Sequence, residues 1–540
     1  MIIIQGTGVS GGLTFGTLAF YAQTARTIPL SHADPAAEKV RLAQARRDCV
    51  SQLEQLAEAC LPHNPDGCAL FETHAMLAED EDLVACTEEA LETLSCSAEY
   101  AVQQAGEQFA ALFEKMDDPY MCQRGGDVRD ITRRLICCLT GDTPGEITFD
   151  SPVILCADDL SPSQTIGLDR SKILALATRN GSENSHTAIL ARTMGIPAVC
   201  ALGQELDAAL EGHPCWLDGD TGRLILHPDG DTLARLEKAL AQQQAKKQQL
   251  AALKDTQDTT ADGRSIALYC NIASPADIPA VLSCGGRGIG LYRSEFLFLG
   301  RDTPPGEEEQ FEAYRTVLSA MGEKPVVIRT MDIGSDKQAG WLDLKPEANP
   351  ALGMRGVRLC LARPELFKVQ LRALCRAAVY GNLSVMFPMI TSPEEVRRCK
   401  ALFQAVTDEL SRSGIPCGSA VRLGIMIETP AAVLCADELA KQADFFCVGT
   451  NDLTQYTLAC DRQSGIGSTF DPRHPAVLRA VRMAAQAAQA AGIPIGICGE
   501  LAAEADMLSD FLDMGITELS MSPAAVLPLR AALQKIGVNP

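Results

Sequence analysis

Six side chains that could share one reaction stand directly after short apolar runs. Arg293 closes GIGLY, Arg329 closes PVVI, Glu428 closes RLGIMI, Asn451 and Asp452 follow FFCVGT, and Cys498 closes IPIGI. Two guanidiniums offer planar forks that grip phosphate or carboxylate through paired N–H donors. Two carboxylates from separate segments offer hard oxygens suited to Mg²⁺, which takes one or two protein carboxylates and completes its shell with substrate oxygens and water. A thiol whose ordinary pKa is near 8.5 can deliver a proton at neutral pH. These types together point to a small phosphorylated carboxylate held with a divalent cation. Each alone reads as a solvated loop residue, and Cys498 as one core cysteine among many. Their shared position at the ends of apolar runs carries the functional reading.

The runs themselves define the element that must position them. Candidate strands lie at IALYCNI (266–272), GIGLYR, PVVIRTM, LSVMFPM, RLGIMIE, FFCVG, IPIGIC and ELSMS, with helical segments between most of them. Eight strand–helix units over residues 257–540 match a (β/α)₈ barrel, which carries its reacting groups at the carboxyl ends of its strands. Upstream, residues 1–25 alternate Gly with β-formers, and residues 34–140 are helical throughout. Leu42, Cys49, Leu53 and Leu56 recur at helical spacing on one face. Further helices are expected near 67–90, 93–116 and 126–139. Strands then resume at PVILCA, KILALAT and PCWLDGDTGRLIL, so the helical block reads as an insertion in a small α/β domain. Residues 231–254 form one long Gln/Lys/Ala-rich helix, a connector between bodies. The fold class is therefore multidomain α/β. An α/β domain occupies 1–25 and 141–228, an all-helical subdomain 26–140, a helical linker 229–256 and a barrel 257–540.

Composition excludes several classes. The 540 residues carry a formal charge of −22, against the basic stripe that nucleic-acid binding requires. No apolar run approaches the ~18 residues of a membrane span, and MIIIQGTGVSGG lacks the basic start of a secretion signal and reads as a first strand. The expected location is the cytoplasm. The 21 cysteines include no Cys-x-x-Cys pair, as fits core residues in a reducing compartment rather than a zinc site or disulfide framework. GGRGIG (285–290) precedes its strand instead of following it, so it reads as a turn and not a dinucleotide fingerprint.

GSENSHTAILART (181–193) sets His186 at the start of a helix. Alone it reads as a capped surface helix, since Ser and Asn favour N-caps. A helix N-terminus also disfavours imidazolium, keeping the ring neutral as a nucleophile must be, and welcomes a phosphate once attached. The other six histidines lack such surroundings and read as surface or structural residues.

SENSHTAILARTMGIPAV, with DLSPSQT before it and DGDTGRLI after it, resembles the phosphohistidine domain of the enzyme I family, the phosphoenolpyruvate-protein phosphotransferases of the bacterial sugar phosphotransferase system. GIGLYRSEFLF, IRTMDIGSDK, NPALGMRGVRL, MIETPAA, GTNDLTQYTLACDR and GICGELA resemble that family's phosphoenolpyruvate-binding barrel, in the same order. The helical insertion, with FETHAMLAEDEDLV, resembles the part that docks the carrier protein HPr. The resemblance spans essentially the whole chain. It implies that His186 takes the phosphoryl group with Thr165 near the ring. Arg293, Arg329, Asn451, Asp452 and Arg462 would bind substrate, and Arg355 would add a contact. Glu428 and Asp452 would hold Mg²⁺, and Cys498 would protonate the departing enolate to give pyruvate. HPr would be the acceptor, the barrel would pair into a homodimer, and the phosphohistidine domain would swing about the 231–254 helix. The run Gly181-Ser182-Glu183-Asn184-Ser185-His186 departs from the family's Gly-Gly-x-Thr-Ser-His. Ala339-Gly340 replaces the usual Leu-Pro after Lys337. Rival readings are a nitrogen-regulatory relay, which typically adds an N-terminal sensory domain where this chain starts at the phosphohistidine domain; an ATP-using dikinase or synthase, which would need a nucleotide-binding domain; and a non-catalytic phosphoenolpyruvate sensor, which would not need the intact reactive set.

Overall fold

The computed structural model describes the chain apart from residues 22–27, 61–64, 115–118, 142–148, 150, 161–169, 183–184, 300, 302, 335–339, 343, 346, 419, 462–469 and 538–540. The chain divides into two compact units, Met1–Lys246 and Lys247–Pro540. The division falls within the helix Gly230–Ala252.

The first unit is built on an eight-stranded sheet in the order β1-β8-β7-β3-β4-β5-β6-β2. Its strands are β1 (Ile2–Gln5), β2 (Thr7–Ser10), β3 (Leu13–Phe20), β4 (Val153–Ala157), β5 (Ile173–Thr178), β6 (Ala198–Cys200), β7 (Pro214–Asp218) and β8 (Arg223–Leu226). β3 and β4 are hydrogen-bonded parallel neighbours, although residues 21–152 separate them in sequence. Every residue of β4 is buried. Ile154 and Cys156 join the apolar cluster on one face, and Leu155 and Ala157 the cluster on the other. A strand covered on both faces must be apolar throughout, which is why VILCA shows no alternation.

The helical block runs through α1 (Pro35–Cys60), α2 (Pro65–Ala78), α3 (Glu81–Leu94), α4 (Ala98–Glu114) and α5 (Pro119–Thr140). Leu42, Cys49 and Leu53 of α1 are buried together as their spacing requires; the side chain of Leu56 lies outside the described residues. The helix expected over 67–90 is in fact two. Asp80 ends the run by capping α3, its carboxylate accepting from the backbone N–H groups of Asp82 and Leu83 at 3.0 Å each. Asp is a strong N-cap, and at that position it outweighs the helix propensity of its Glu neighbours.

The second unit is a closed barrel of eight parallel strands: β9 (Ala267–Ile272), β10 (Ile289–Arg293), β11 (Pro325–Arg329), β12 (Asn382–Phe387), β13 (Arg422–Ile427), β14 (Phe446–Val448), β15 (Ile495–Ile497) and β16 (Glu518–Met521). β16 pairs back onto β9 and closes the ring. Each of the eight apolar runs read from the sequence supplies one strand. Outer helices bury one stripe against it. In Pro393–Arg412, Val396, Cys399, Phe403, Val406 and Leu410 recur every three or four residues and are buried, and a Ser392–Glu395 capping box fixes the start. Among the described residues every cysteine is a free thiol, and no helix is long and apolar enough to cross a membrane.

Candidate active site

Local sequence aims each strand-end residue. β13 stops before Glu428 because Thr429 caps the next helix, its hydroxyl accepting from Ala432 N–H at 3.1 Å, with Pro430 at the first helical position. Gly449 precedes the helix Thr450–Leu458, so Asn451 and Asp452 fall in its first turn. A Cβ on Gly449 would lie 3.0 Å from Glu428 Oε2, and one on Gly499 would lie 1.8 Å from Thr450 Oγ1. Glycine at both positions is what lets these loops converge.

They converge on one cavity of about 310 Å³, at the lower end of small-molecule sites. Arg293, Arg329, Arg355, Glu428, Asn451, Asp452 and Cys498 all line it. Two of the guanidiniums, those of Arg329 and Arg355, are braced by carboxylates. Arg329 donates to Glu295 and lies 3.2 Å from Asp332 Oδ2. Arg355 donates to the same Asp332 from Nη2 at 2.8 Å and Nε at 3.2 Å, and its Nη1 lies 3.5 Å from Asp452 Oδ1. Burial opposes the charge on both arginines, but the surrounding carboxylates more than offset it, so both stay protonated. Asn451 is tied to Glu500, accepting from its N–H at 3.2 Å.

Glu428 is fully buried. Its Oε1 accepts from Met389 N–H at 2.6 Å, and its Oε2 is buried with no hydrogen-bond partner. Met389 holds a left-handed backbone (φ +57°), unusual for a non-glycine residue and a place where strain is retained by the surrounding packing. Burial, with Asp452 and Asp332 nearby, pushes the Glu428 carboxyl well above its usual range despite Arg329 and Arg355. An unpartnered carboxylate oxygen beside a second carboxylate is a donor set that fits a hard divalent cation. Among the described residues no group of three or more His, Cys, Asp or Glu could hold a metal alone, so a cation here needs oxygens from substrate and water. Cys498 has its pKa lowered by a hydrogen bond from Cys447 and, against its own burial, by Arg329 and Arg293.

In the first unit the helix His186–Met194 begins at His186 itself, capped by Ser185, whose hydroxyl accepts from Ala188 N–H at 3.3 Å. Thr187 is fully buried and donates to Asp159 at 2.8 Å, tying the helix start to the DLSPSQT stretch. Gly181 takes the left-handed backbone (φ +103°); Ser182 does not, so the serine there carries no such penalty. The His186 side chain, Thr165, Glu183, Asn184, Lys337, Ala339 and Arg462 lie outside the described residues.

Residues 247–538 match the family described as the PEP-utilising enzyme, PEP-binding domain; residues 149–222 match its mobile domain and residues 5–124 its N-terminal domain. The chain is 40% identical over 507 residues to the phosphoenolpyruvate-protein phosphotransferase of Geobacillus stearothermophilus, covering 93% of this chain and 88% of that one. The chain belongs to the phosphoenolpyruvate-protein phosphotransferase family. Its likeness to the Bacillus subtilis phosphoenolpyruvate-protein phosphotransferase is 37% identity over 537 residues, covering 99% and 94% of the two chains. A solution structure described as Enzyme I is 29% identical, with a TM-score of 0.38 over 45% of this chain and 99% of that one.

In this phosphoenolpyruvate-protein phosphotransferase the sequence pointed to the arginines, acids and thiol that line the cavity, because each interrupts an apolar strand at its end. It missed Glu295 and Asp332, the acids that brace the arginines. The available signal was their spacing, two residues past Arg293 and three past Arg329.

Proposed function

We propose that the chain transfers the phosphoryl group of phosphoenolpyruvate to His186, releases pyruvate, and passes the phosphoryl group on to a histidine of the carrier HPr, the first step of sugar uptake by the phosphotransferase system. The observation that carries this reading is the convergence of Arg293, Arg329, Arg355, Glu428, Asp452 and Cys498 on one small cavity at the strand ends. Arg293 and Arg329 grip the phosphate, and Arg355 and Asn451 line the same site. Arg462 joins them by resemblance. Glu428 and Asp452 would hold Mg²⁺, which supplies charge neutralisation for the phosphate and the developing enolate. A loose phosphoryl transition state needs positioning and countercharge more than covalent help, and the braced guanidiniums of Arg329 and Arg355 supply both without reorganising. Cys498, its thiol readied for ionisation by the hydrogen bond from Cys447 and then by Arg329 and Arg293, delivers its proton to the enolate carbon. Because His186 and the cavity belong to separate units, turnover requires the two to meet, and that motion can limit the rate. The reading places the enzyme in the cytoplasm, as a homodimer through the barrel, with its domains at 1–25 with 141–228, 26–140, 229–256 and 257–540.

The test is incubation with labelled phosphoenolpyruvate and Mg²⁺, without ATP. The expected product is one acid-labile, base-stable label on His186, absent in His186→Ala. Label elsewhere, or a requirement for ATP, refutes the reading. Offering sugar-pathway HPr and a nitrogen-type carrier side by side then decides between the two relays.

A further inference from the structure

Cys498 is set in place by a residue that lines no part of the cavity. Asn271 lies near the carboxyl end of β9, across from Leu291 of β10. Its side-chain amide donates to the backbone carbonyl of Cys498 at 3.2 Å and to that of Ser520 at 3.3 Å. Its own Oδ1 accepts from the Ser520 hydroxyl at 2.6 Å. One side chain from the first barrel strand therefore ties together the ends of the last two, which are 227 and 249 residues away in sequence. Gly290 leaves the room for it, since a Cβ there would lie 2.6 Å from Ser520 Oγ. On the other side, the Cys498 N–H donates to the Val448 carbonyl at 3.1 Å and the thiol faces the same oxygen at 3.6 Å. The Cys498 peptide is thus held from both neighbouring directions.

We infer that Asn271, itself held by Ser520, is a positioning residue for the proton transfer at Cys498. The inference rests on the reading of Cys498 as proton donor. A carbon acid exchanges a proton efficiently only when the thiol is aligned over the carbon, and a misplacement of about 1 Å can cost on the order of 10²-fold. Phosphoryl transfer to His186 does not involve the thiol. Loss of the Asn271 anchor should therefore separate the two half-reactions, whereas general damage to the barrel would slow both.

The test uses the full-length protein with Mg²⁺ and pyruvate in D₂O, following methyl deuteration by NMR. In that exchange the thiolate removes a C3 proton, and the solvent-exchanged thiol returns a deuteron to the enolate carbon. Labelling of His186 by phosphoenolpyruvate is measured in parallel. Asn271→Ala is expected to slow methyl exchange about 10- to 100-fold while changing the labelling rate and the KM for phosphoenolpyruvate less than about threefold. Ser520→Ala, a milder change that leaves the amide in place, is expected to slow exchange about 3- to 10-fold, with labelling unchanged. Exchange within about twofold of the parent in both variants, or a parallel fall in exchange and labelling, overturns the inference. Cys498→Ala is the control. If it retains exchange, the proton-donor reading itself falls; if it loses exchange and Asn271→Ala does not, only the role of Asn271 falls.

Discussion

Asp332→Asn tests whether paired guanidiniums need a shared carboxylate to act. Asp332 is almost fully buried; it accepts two hydrogen bonds from Arg355, at 2.8 and 3.2 Å, and lies 3.2 Å from Arg329 Nη1. The amide keeps one acceptor oxygen, loses the negative charge and turns its NH₂ toward a guanidinium. Breaking a buried ion pair from one side costs about 3–5 kcal/mol, and a hydrogen bond to a charged group contributes about 1.5–3 kcal/mol. With Glu295 still bracing Arg329 and Asp452 still near Arg355, part of that is retained, leaving a loss of about 2–4 kcal/mol. For a unit the size of Lys247–Pro540 this corresponds to a Tm lower by roughly 3–6 °C. The catalytic effect has a different sign in its two parts. The released positive potential holds the anionic substrate at least as well, so KM stays flat or falls, while the misaligned forks lose transition-state contacts and kcat drops about 10- to 100-fold. Differential scanning calorimetry and steady-state pyruvate release read the two quantities. A kcat within about twofold of the parent, or a KM that rises with kcat unchanged, refutes the bracing argument.

Glu428→Gln replaces a buried carboxyl whose ionisation its surroundings oppose and whose Oε2 has no partner, so the metal-free protein is expected to melt no lower than the parent, while the rise in Tm on adding Mg²⁺ disappears; an unchanged Mg²⁺ response would exclude Glu428 as a ligand. Gly499→Ala forces a Cβ to within 1.8 Å of Thr450 Oγ1, and Thr450 N is 2.9 Å away, so the loop carrying Cys498 must shift; pyruvate release is expected to fall at least about tenfold, and normal turnover would show that the loop has slack. Burial raises the folded pKa of Glu518 despite Arg422 nearby. The neutral acid is therefore favoured in the barrel; its contribution is complete below the unfolded carboxyl pKa and is lost as pH rises through the higher folded value. Glu518→Gln should consequently flatten the decline of Tm between mildly acidic and neutral pH, and an identical pH profile in parent and variant would contradict this.

The barrel was legible because its strands are buried on both faces, so each reads as an uninterrupted apolar run, and a polar residue at the end of such a run stands out. The same contrast exposed Arg293, Arg329, Glu428, Asp452 and Cys498. It failed for Asp332 and Glu295, because their one signal, an acid two or three residues past an arginine, is the same whether the acid is solvated or, as here, buried against a guanidinium. It failed for the backbone donor to Glu428, since the left-handed Met389 sits in MFPMI with no glycine or asparagine to signal it. It failed again between α2 and α3, where LAEDED is rich enough in acidic residues to read as continuous helix although Asp80 starts a new one. Long-range anchors such as Asn271 to Cys498 are set by barrel closure, which joins residues far apart in sequence and leaves no local trace.

The parallel pairing of β3 with β4 separates two kinds of change in this chain. Parallel neighbours need a crossover of only a dozen or so residues, yet residues 21–152 fill that role here. Substitutions and length variation within the helices can accumulate without disturbing a single hydrogen bond of the sheet, provided the exit after Phe20 and the return before Val153 stay in register. The helical block is thus free to diverge at its own pace, while the sheet that flanks the His186–Met194 helix stays fixed.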